Sequence, residues 1–439
     1  MSCRWLIIAW MTLSWFAPIA TGTVAAQGVI SSGPNVIVNN SGSFDPYSAQ
    51  ASAGAGSSFS GGNLLSFPSV GGFVPNMQQR IADRLWIRGE YLYWEASGMD
   101  TPPLATTSPD GTPQASAGIL GESGTTVLFG NGELNDGGHS GFRGRAGFWI
   151  TPQGSFAIEG EYFGLFGDGD SYAAAGDGTP ILARPFFDTT TNREAAQLVS
   201  YGNVVSGALR IDSDTDLQSA MVNVRAALMP TYMGYNSGEP DRVDWIIGYR
   251  NLQLEDRLSF SESLSSQVVG EPDTTVRSEQ FHTENRFNGL QLGMIHQATF
   301  DRAWLESTMR VAVGTNSQRV NISGSTTLTD NGVAESYPGG LLTQTSNIGS
   351  YREDEFTMIP ELGVTLGVRV TSWLHATVGY SLLYFPNVVR AGDQIDPTVN
   401  SNLIPEPSTP VTGSRRPQYR FVETDYWAQG IHFGGQLQF

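Results

Sequence analysis

Ten stretches of this chain alternate apolar and polar side chains with a period of two, the pattern of β-strands whose two faces meet different surroundings. They run at 85–94, 141–150, 156–166, 217–229, 242–256, 277–297, 302–324, 354–371, 373–390 and 425–439. In "LWIRGEYLYW" (85–94), Ile87, Gly89, Tyr91 and Tyr93 share one face, and Arg88 and Glu90 the other. "GFRGRAGFWI" (141–150) and "FAIEGEYFGLF" (156–166) read as a hairpin, because Thr151-Pro152-Gln153-Gly154-Ser155 between them carries turn residues. Phe142, Ala146, Phe148, Ile158, Tyr162 and Phe166 share its apolar face. The fifth stretch is imperfect: Val243, Trp245, Ile247 and Tyr249 alternate, but Leu252 and Leu254 fall on the opposite parity. A bulge, or a strand that has risen past its apolar surroundings, accounts for such a slip.

The connections sort by length. Short links at 151–155, 230–241, 298–301 and 371–373 alternate with long ones at 95–140, 167–216, 257–276, 325–353 and 391–424. Transmembrane β-barrels have short turns on the periplasmic side and long loops outside, whereas a soluble sandwich has no reason to sort its loops this way. The expectation is an all-β protein, an antiparallel transmembrane β-barrel of about ten strands within a range of 10–14. In the final "GIHFGGQLQF" (430–439), Ile431, Phe433, Gly435, Leu437 and Phe439 share one face. Ile431, Phe433, Leu437 and Phe439 resemble the C-terminal signal read by the barrel insertion machinery of the outer membrane.

Upstream, residues 1–26 read as a secretory signal peptide: a short charged start, an apolar run from Trp5 to Ala20, then small residues to Ala26. Residues 27–80 are rich in Ser, Gly, Asn and Ala with almost no charge and read as a flexible periplasmic leader, leaving 81–439 as the barrel. The sole cysteine, Cys3, precedes the apolar run, so the expected mature chain has no disulfide.

Composition narrows the partners. All 24 basic residues are arginine against 42 acidic ones, a formal charge of −18, which argues against nucleic acid. Charged residues are only 15 % of the chain and glycines number 52, as expected where one strand face meets lipid. The expected partners are outer-membrane lipid, the insertion machinery and small hydrophilic solutes, with a homo-oligomer left open.

Parity places Arg88, Arg143, Arg145, Arg225, Arg250, Arg310 and Arg369 on the non-lipid face, with Glu90, Glu159, Glu161, Asp244, Glu306 and Glu361. These nearly cancel, so pairing across neighbouring strands is expected. Two roles stay open: ion pairs that fill the lumen, or facing charged rows that sort solutes in a wet constriction. The acidity is then expected in the loops, as in "GDGDSY" (167–172), "RIDSDTD" (210–216) and "YREDEF" (351–356). Asp212, Asp214 and Asp216 imitate the start of a calcium loop, but Leu217 and Asn223 stand where glycine and the closing glutamate belong. No metal site or cofactor is expected.

Aromatic girdles are expected from Tyr93, Trp94, Trp149, Trp245, Trp304, Trp373, Tyr384, Phe385 and Trp427. The first long loop carries Ile119, Leu120, Val127, Leu128 and Phe129, too apolar for a free tether, and is expected to fold into the barrel mouth, narrowing or plugging it. Enzyme motifs are missing: no G-x-S-x-G, no H-E-x-x-H and no Cys cluster. The five histidines are scattered, with His375 and His432 inward by parity.

Longer phrases, "TPPLATTSP" (101–109), "AGILGESGTTVLFG" (117–130), "ILARPFFDT" (181–189), "VSYGNVVSGAL" (199–209), "SNIGSY" (346–351), "VVRAGDQIDPTVN" (388–400) and "YWAQGIHFG" (426–434), resemble the beta barrel porin-7 family found chiefly in planctomycetes. The resemblance covers roughly 84–439 and implies an outer-membrane barrel with a porin-like role and no catalytic residues. Its phrases lie mostly in expected loops, among them Arg390, Asp393 and Asp396, which implies loops folded against something as a plug or cap. The sequence therefore supports a channel for passive diffusion, narrow or plugged by 95–140. The alternative is a non-conducting structural or surface-binding barrel acting through its acidic loops.

Overall fold

A strand crossing lipid must pair along both edges, because no water is there to satisfy its N–H and C=O groups. In the computed structural model the alternating stretches meet this demand by closing into a ring. The structure describes residues 84–151, 154–167, 169–231, 241–268, 270–405 and 411–438. The expected signal peptide and leader, and Phe439 of the expected insertion signal, lie outside the described residues.

Among the described residues seventeen strands follow in order. They are β1 (Leu85–Ala96), β2 (Met99–Thr107), β3 (Thr126–Leu134), β4 (Gly138–Trp149), β5 (Phe156–Phe166), β6 (Ser171–Gly176), β7 (Leu182–Asp188), β8 (Arg193–Ser200) and β9 (Val205–Thr231). There follow β10 (Asp241–Ser266), β11 (Thr274–Thr299), β12 (Ala303–Asp330), β13 (Val333–Pro338), β14 (Gly349–Arg369), β15 (Leu374–Val389), β16 (Thr398–Val399) and β17 (Glu423–Gln438). Ten of them close an antiparallel ring in the order β1, β4, β5, β9, β10, β11, β12, β14, β15, β17 and back to β1. These are the ten stretches read from the alternation.

The ends of β4, β9, β11 and β14 and the starts of β5, β10, β12 and β15 fall together at one end of the ring, where short links are expected. Two are locked by a threonine side chain: Thr151 Oγ1 accepts from the N–H groups of Ser155 and Phe156 at 2.8 and 3.1 Å, and Thr371 Oγ1 from those of Leu374 and Trp373 at 3.0 and 3.3 Å. Such hydroxyl turns supply partners that a tight link lacks.

Strand length departs from expectation. β9 to β12 have 27, 26, 26 and 28 residues, where a crossing needs only about 9–11. The sequence "RIDSDTD" (210–216), expected as loop, lies inside β9, and "YREDEF" (351–356) inside β14. The expected loop 257–276 shrinks to a turn at 267–273 between two tall strands.

The parity slip in β10 is an inversion of surroundings, with no bulge at that point. Leu252 and Leu254 are fully buried inside the ring in unbroken register, and the single register shift of the β9–β10 pair sits at Val243/Asp244. Below Arg250 the exposed outer face is Trp245, Ile247 and Tyr249; above it the outer positions are Asn251, Gln253, Glu255 and Arg257, and the inner ones Leu252, Leu254, Leu258 and Phe260. The strand leaves lipid there, and its two faces exchange polarity. On β14 the exposed apolar face runs from Phe356 to Val368, roughly 40 Å of strand at about 3.4 Å per residue. At a tilt of about 40° this matches a hydrocarbon core about 30 Å thick.

The long connections are not tethers. β16, β7, β2 and β3, with β8 on β7, form a separate five-stranded sheet, so β2 and β3 of the 95–140 connection leave the barrel count at ten. Met99, Leu104, Leu134, Leu182 and Phe186 of this sheet share one apolar cluster with Leu258, Phe260, Phe281, Val320 and Ile322 of the tall strands. At roughly 25 cal/mol per Å² of apolar surface, such burial supplies the energy to order segments that look like loops in sequence. Val127 and Leu128, expected in the mouth, stay exposed, whereas Phe129 stacks on Tyr172 with ring centroids 5.6 Å apart.

The aromatic expectation divides. Tyr93, Trp245 and Tyr384 are exposed on the outer face and Trp373 in the turn before β15, but Trp94, Phe385 and Trp304 are buried, the first two in a second interior cluster with Phe163, Phe287 and Leu383. All three occupy inward positions by parity, and proximity to a strand end does not override parity.

Candidate functional site

Below that interior cluster the barrel is crossed by charge. β1 and β4 pair so that Arg88 lies opposite Arg145 and Glu90 opposite Arg143, and β4 and β5 so that Arg145 faces Glu161. Two arginines side by side repel each other unless a carboxylate lies between them. Glu306 of β12 provides it: Arg88 reaches it at 2.9 Å and Arg145 at 3.3 Å. In the ring of ten, β12 stands five strands from β4, on the opposite wall.

The network continues upward. Arg145 pairs with Glu161 at 2.6 Å, Arg143 with Glu161 at 3.4 Å and Glu90 at 3.8 Å, and Arg310 with Glu161 at 3.0 Å and Glu361 at 3.5 Å. Arg250 and Glu361 approach to 2.7 Å, although the N–H and the oxygen are not aligned as a hydrogen bond. On the other flank Asp244 holds Arg225 at 2.6 Å and Arg242 at 2.7 Å, and Glu159 lies 3.9 Å from Arg225. The expected rule of neighbouring-strand pairing therefore describes only part of the layer: Arg310 and Glu361 face each other on adjacent β12 and β14, whereas the contacts of Glu306 with Arg88 and Arg145, of Arg310 with Glu161 and of Arg250 with Glu361 join strands that are not neighbours. The layer grades into the apolar cluster above through arginine on rings, Arg143 lying 5.2 Å over Trp94 and 5.6 Å over Phe163.

Of the thirteen charges read from parity, twelve are buried in this layer. Arg369 is not: it is exposed at the short-turn mouth, because β14 ends there. Arg242 was missed, although it shares the parity of Asp244 two residues on. Of the insertion signal, Ile431 and Phe433 are half exposed on the outer face and Leu437 is partly so. His375 and His432 face inward as expected, His432 lying 3.1 Å from Thr365 Oγ1.

Above the apolar cluster the loops are pinned by further buried pairs. Arg390 Nε donates to Asp256 at 2.5 Å, and its NH1 donates to the carbonyls of Ser97 and Gly98 at 3.2 and 3.1 Å. Arg184 of β7 meets Glu279 of β11 at 2.5 Å, and Glu279 Oε1 accepts from the N–H groups of Leu342 and Thr343 at 2.6 and 2.9 Å. Burial alone raises the pKa of Glu279, but Arg184 and these donors outweigh it and hold the carboxyl below its ordinary value. Among the described residues no group of three or more His, Cys, Asp or Glu is placed to hold a metal.

The barrel agrees with the description of one family, "Putative beta barrel porin-7 (BBP7)", which matches residues 86–439. The chain belongs to this family. None of the curated proteins matches it. Among solved structures the porin-7 chain is similar to the outer membrane protease OmpT from Escherichia coli, at 10 % identity, covering 82 % of this chain and 97 % of that one with a TM-score of 0.40. It is also similar to a Pseudomonas aeruginosa FadL homologue, at 9 % identity, covering 81 % and 91 % with a TM-score of 0.24. At these scores neither likeness carries an argument about activity. As a porin-7 member the chain is an outer-membrane β-barrel protein.

Proposed function

We propose that this protein is a closed outer-membrane barrel that anchors and presents a folded head outside the membrane, rather than a standing-open diffusion channel. One observation carries the reading: Arg145 and Arg88 meet Glu306 from the opposite wall, an ion contact set directly across the lumen. The apolar cluster around Trp94 and Phe287 and the pinned loops lie above that contact in series. The head then acts through its outer surface, on a neighbouring molecule or envelope polymer. We read the protein as non-enzymatic, in keeping with its family and its missing catalytic motifs.

The second reading, passive diffusion of small hydrophilic solutes, is favoured by the family's name and by the polar character of the lower lumen. It requires the arginine layer and the loop plug to move together.

Single-channel recording of the refolded chain from Gln27 to Phe439 in a planar bilayer separates the two. A silent bilayer, with heat-modifiable gel mobility proving an intact barrel, is the expected outcome. Discrete conductance steps whose ion selectivity changes in Arg143→Glu would overturn it.

A further inference from the structure

The charges inside the barrel do not balance. In the upper part Arg143, Arg250 and Arg310 face Glu90, Glu161 and Glu361. Toward the short-turn end Arg88, Arg145, Arg225 and Arg242 share Glu306, Asp244 and Glu159, Arg145 reaching Glu161 as well, and Arg369 stands at the mouth. Glu306 and Asp244 are each shared by two guanidiniums, and over the whole layer eight arginines face six carboxylates, an excess of two positive charges in a chain whose total is −18.

Four of these arginines border a cavity, with Glu306 as the carboxylate in its wall. A space of about 320 Å³ opens at the mouth, bounded by Arg88, Arg225, Arg242 and Arg369. Three tryptophans, Trp86, Trp149 and Trp304, form the apolar part of its wall. Two of them hold the arginines in place: Arg242 lies 4.2 Å and Arg225 5.4 Å over Trp149, and Arg88 4.9 Å over Trp304. Stacking fixes the guanidinium planes and leaves N–H edges for acceptors.

A second observation points to a ligand. His375 lines the same cavity, is only 6 % exposed, and its Nδ1 has no hydrogen-bond partner among the described residues. A buried polar atom without a partner costs about 1–3 kcal/mol. Arg369 likewise has no carboxylate within 4.0 Å among the described residues.

We infer that this vestibule binds a small organic anion carrying two or more phosphate or carboxylate groups, whose non-polar part rests against the tryptophans. Two negative charges neutralise the excess, the arginine edges and Arg369 supply the donors, and His375 supplies one further polar contact. The inference holds whether or not the lumen conducts, because the cavity lies to the mouth side of the Glu306 contact.

The test uses the refolded chain from Gln27 in detergent and follows tryptophan emission, since three tryptophans wall the cavity. Citrate and inorganic pyrophosphate are titrated separately, with sodium chloride at matched ionic strength as the reference. A saturable change with either anion is expected, its midpoint weakened about tenfold or more in Arg369→Gln, which touches no packed interior. Arg352→Gln, on the exposed outer face of β14, is expected to leave the midpoint unchanged. A response no different from chloride, or one that Arg352→Gln weakens as much as Arg369→Gln, overturns the inference.

Discussion

Arg390, in the last long connection, donates to Asp256 of β10 at 2.5 and 3.2 Å with both side chains fully buried. This pair joins the 390–422 segment to a tall strand 134 residues away in sequence. Removing one partner leaves the other as an uncompensated buried charge, at about 3–5 kcal/mol. Asp256→Ala is therefore expected to loosen the head while sparing the lipid-embedded ring. Limited proteolysis reads this directly: new cuts within 390–422 with unchanged heat-modifiable mobility are expected, and an unchanged digest would show that the pair does not pin the loop.

The exchange of polarity at Arg250 gives a depth test. Ile247→Arg places a charge on the lipid face and is expected to cost about 2–4 kcal/mol, whereas Gln253→Arg, six residues higher on the same face, is expected to cost about 0–1 kcal/mol. Urea titration of the two variants folded into vesicles measures both. Equal costs would put the membrane boundary elsewhere.

Glu306 is expected to be the weak point of the closed lumen. Glu306→Ala leaves Arg88 and Arg145 adjacent with no carboxylate between them and is expected to destabilise the barrel by about 3–5 kcal/mol. The double variant Arg145→Leu with Glu306→Leu removes both charges and is expected to recover part of that loss. Denaturant midpoints of the single and double variants decide it; a double variant no better than Glu306→Ala would show that the charges are not the cause.

The plug should respond to pH through Asp393. Burial raises its pKa to about 6, with Asp100 and Asp256 adding to the shift and Arg390 opposing it. The folded state thus keeps this proton up to about pH 6, the unfolded state only to about 3.8, so this group's contribution to stability falls as pH rises between those values. Asp396 has the opposite sign. Burial alone would raise it, but the Gln418 N–H, Arg416 and Thr398 hold it below 3.8, so its contribution is present above that pH and is lost on acidification through the lower folded value. Asp393→Asn is expected to stabilise the head at pH 7 and to remove the loss between pH 4 and 6. Proteolysis rates of the head at pH 4.5 and pH 7 check this, and an unaltered pH profile would count against it.

Much of this fold is legible in the sequence. Period-two alternation located all ten ring strands, since a strand between lipid and a charged lumen must present two unlike faces, as Ile87 and Arg88 do. It could not locate strand ends, because above the membrane both faces change together. Leu252 breaks the pattern at the level where β10 leaves the lipid, and "RIDSDTD" reads as solvated loop although it pairs along β10 for its whole length. The five-stranded inner sheet was equally hidden, since β2 and β7 are short and contain prolines, and are stabilised by apolar contacts with the distant strands β10 to β12.

The site divides in the same way. The sequence by itself determined which charges point inward, because side-chain direction along a strand depends only on parity and a one-residue slip would put every arginine into lipid. Which charges meet was decided by closure of the ring. Arg88 and Arg145 are neighbours by strand pairing, but their common carboxylate, Glu306, comes from the far wall, and only the number of strands and the width of the closed barrel bring it within 3.3 Å.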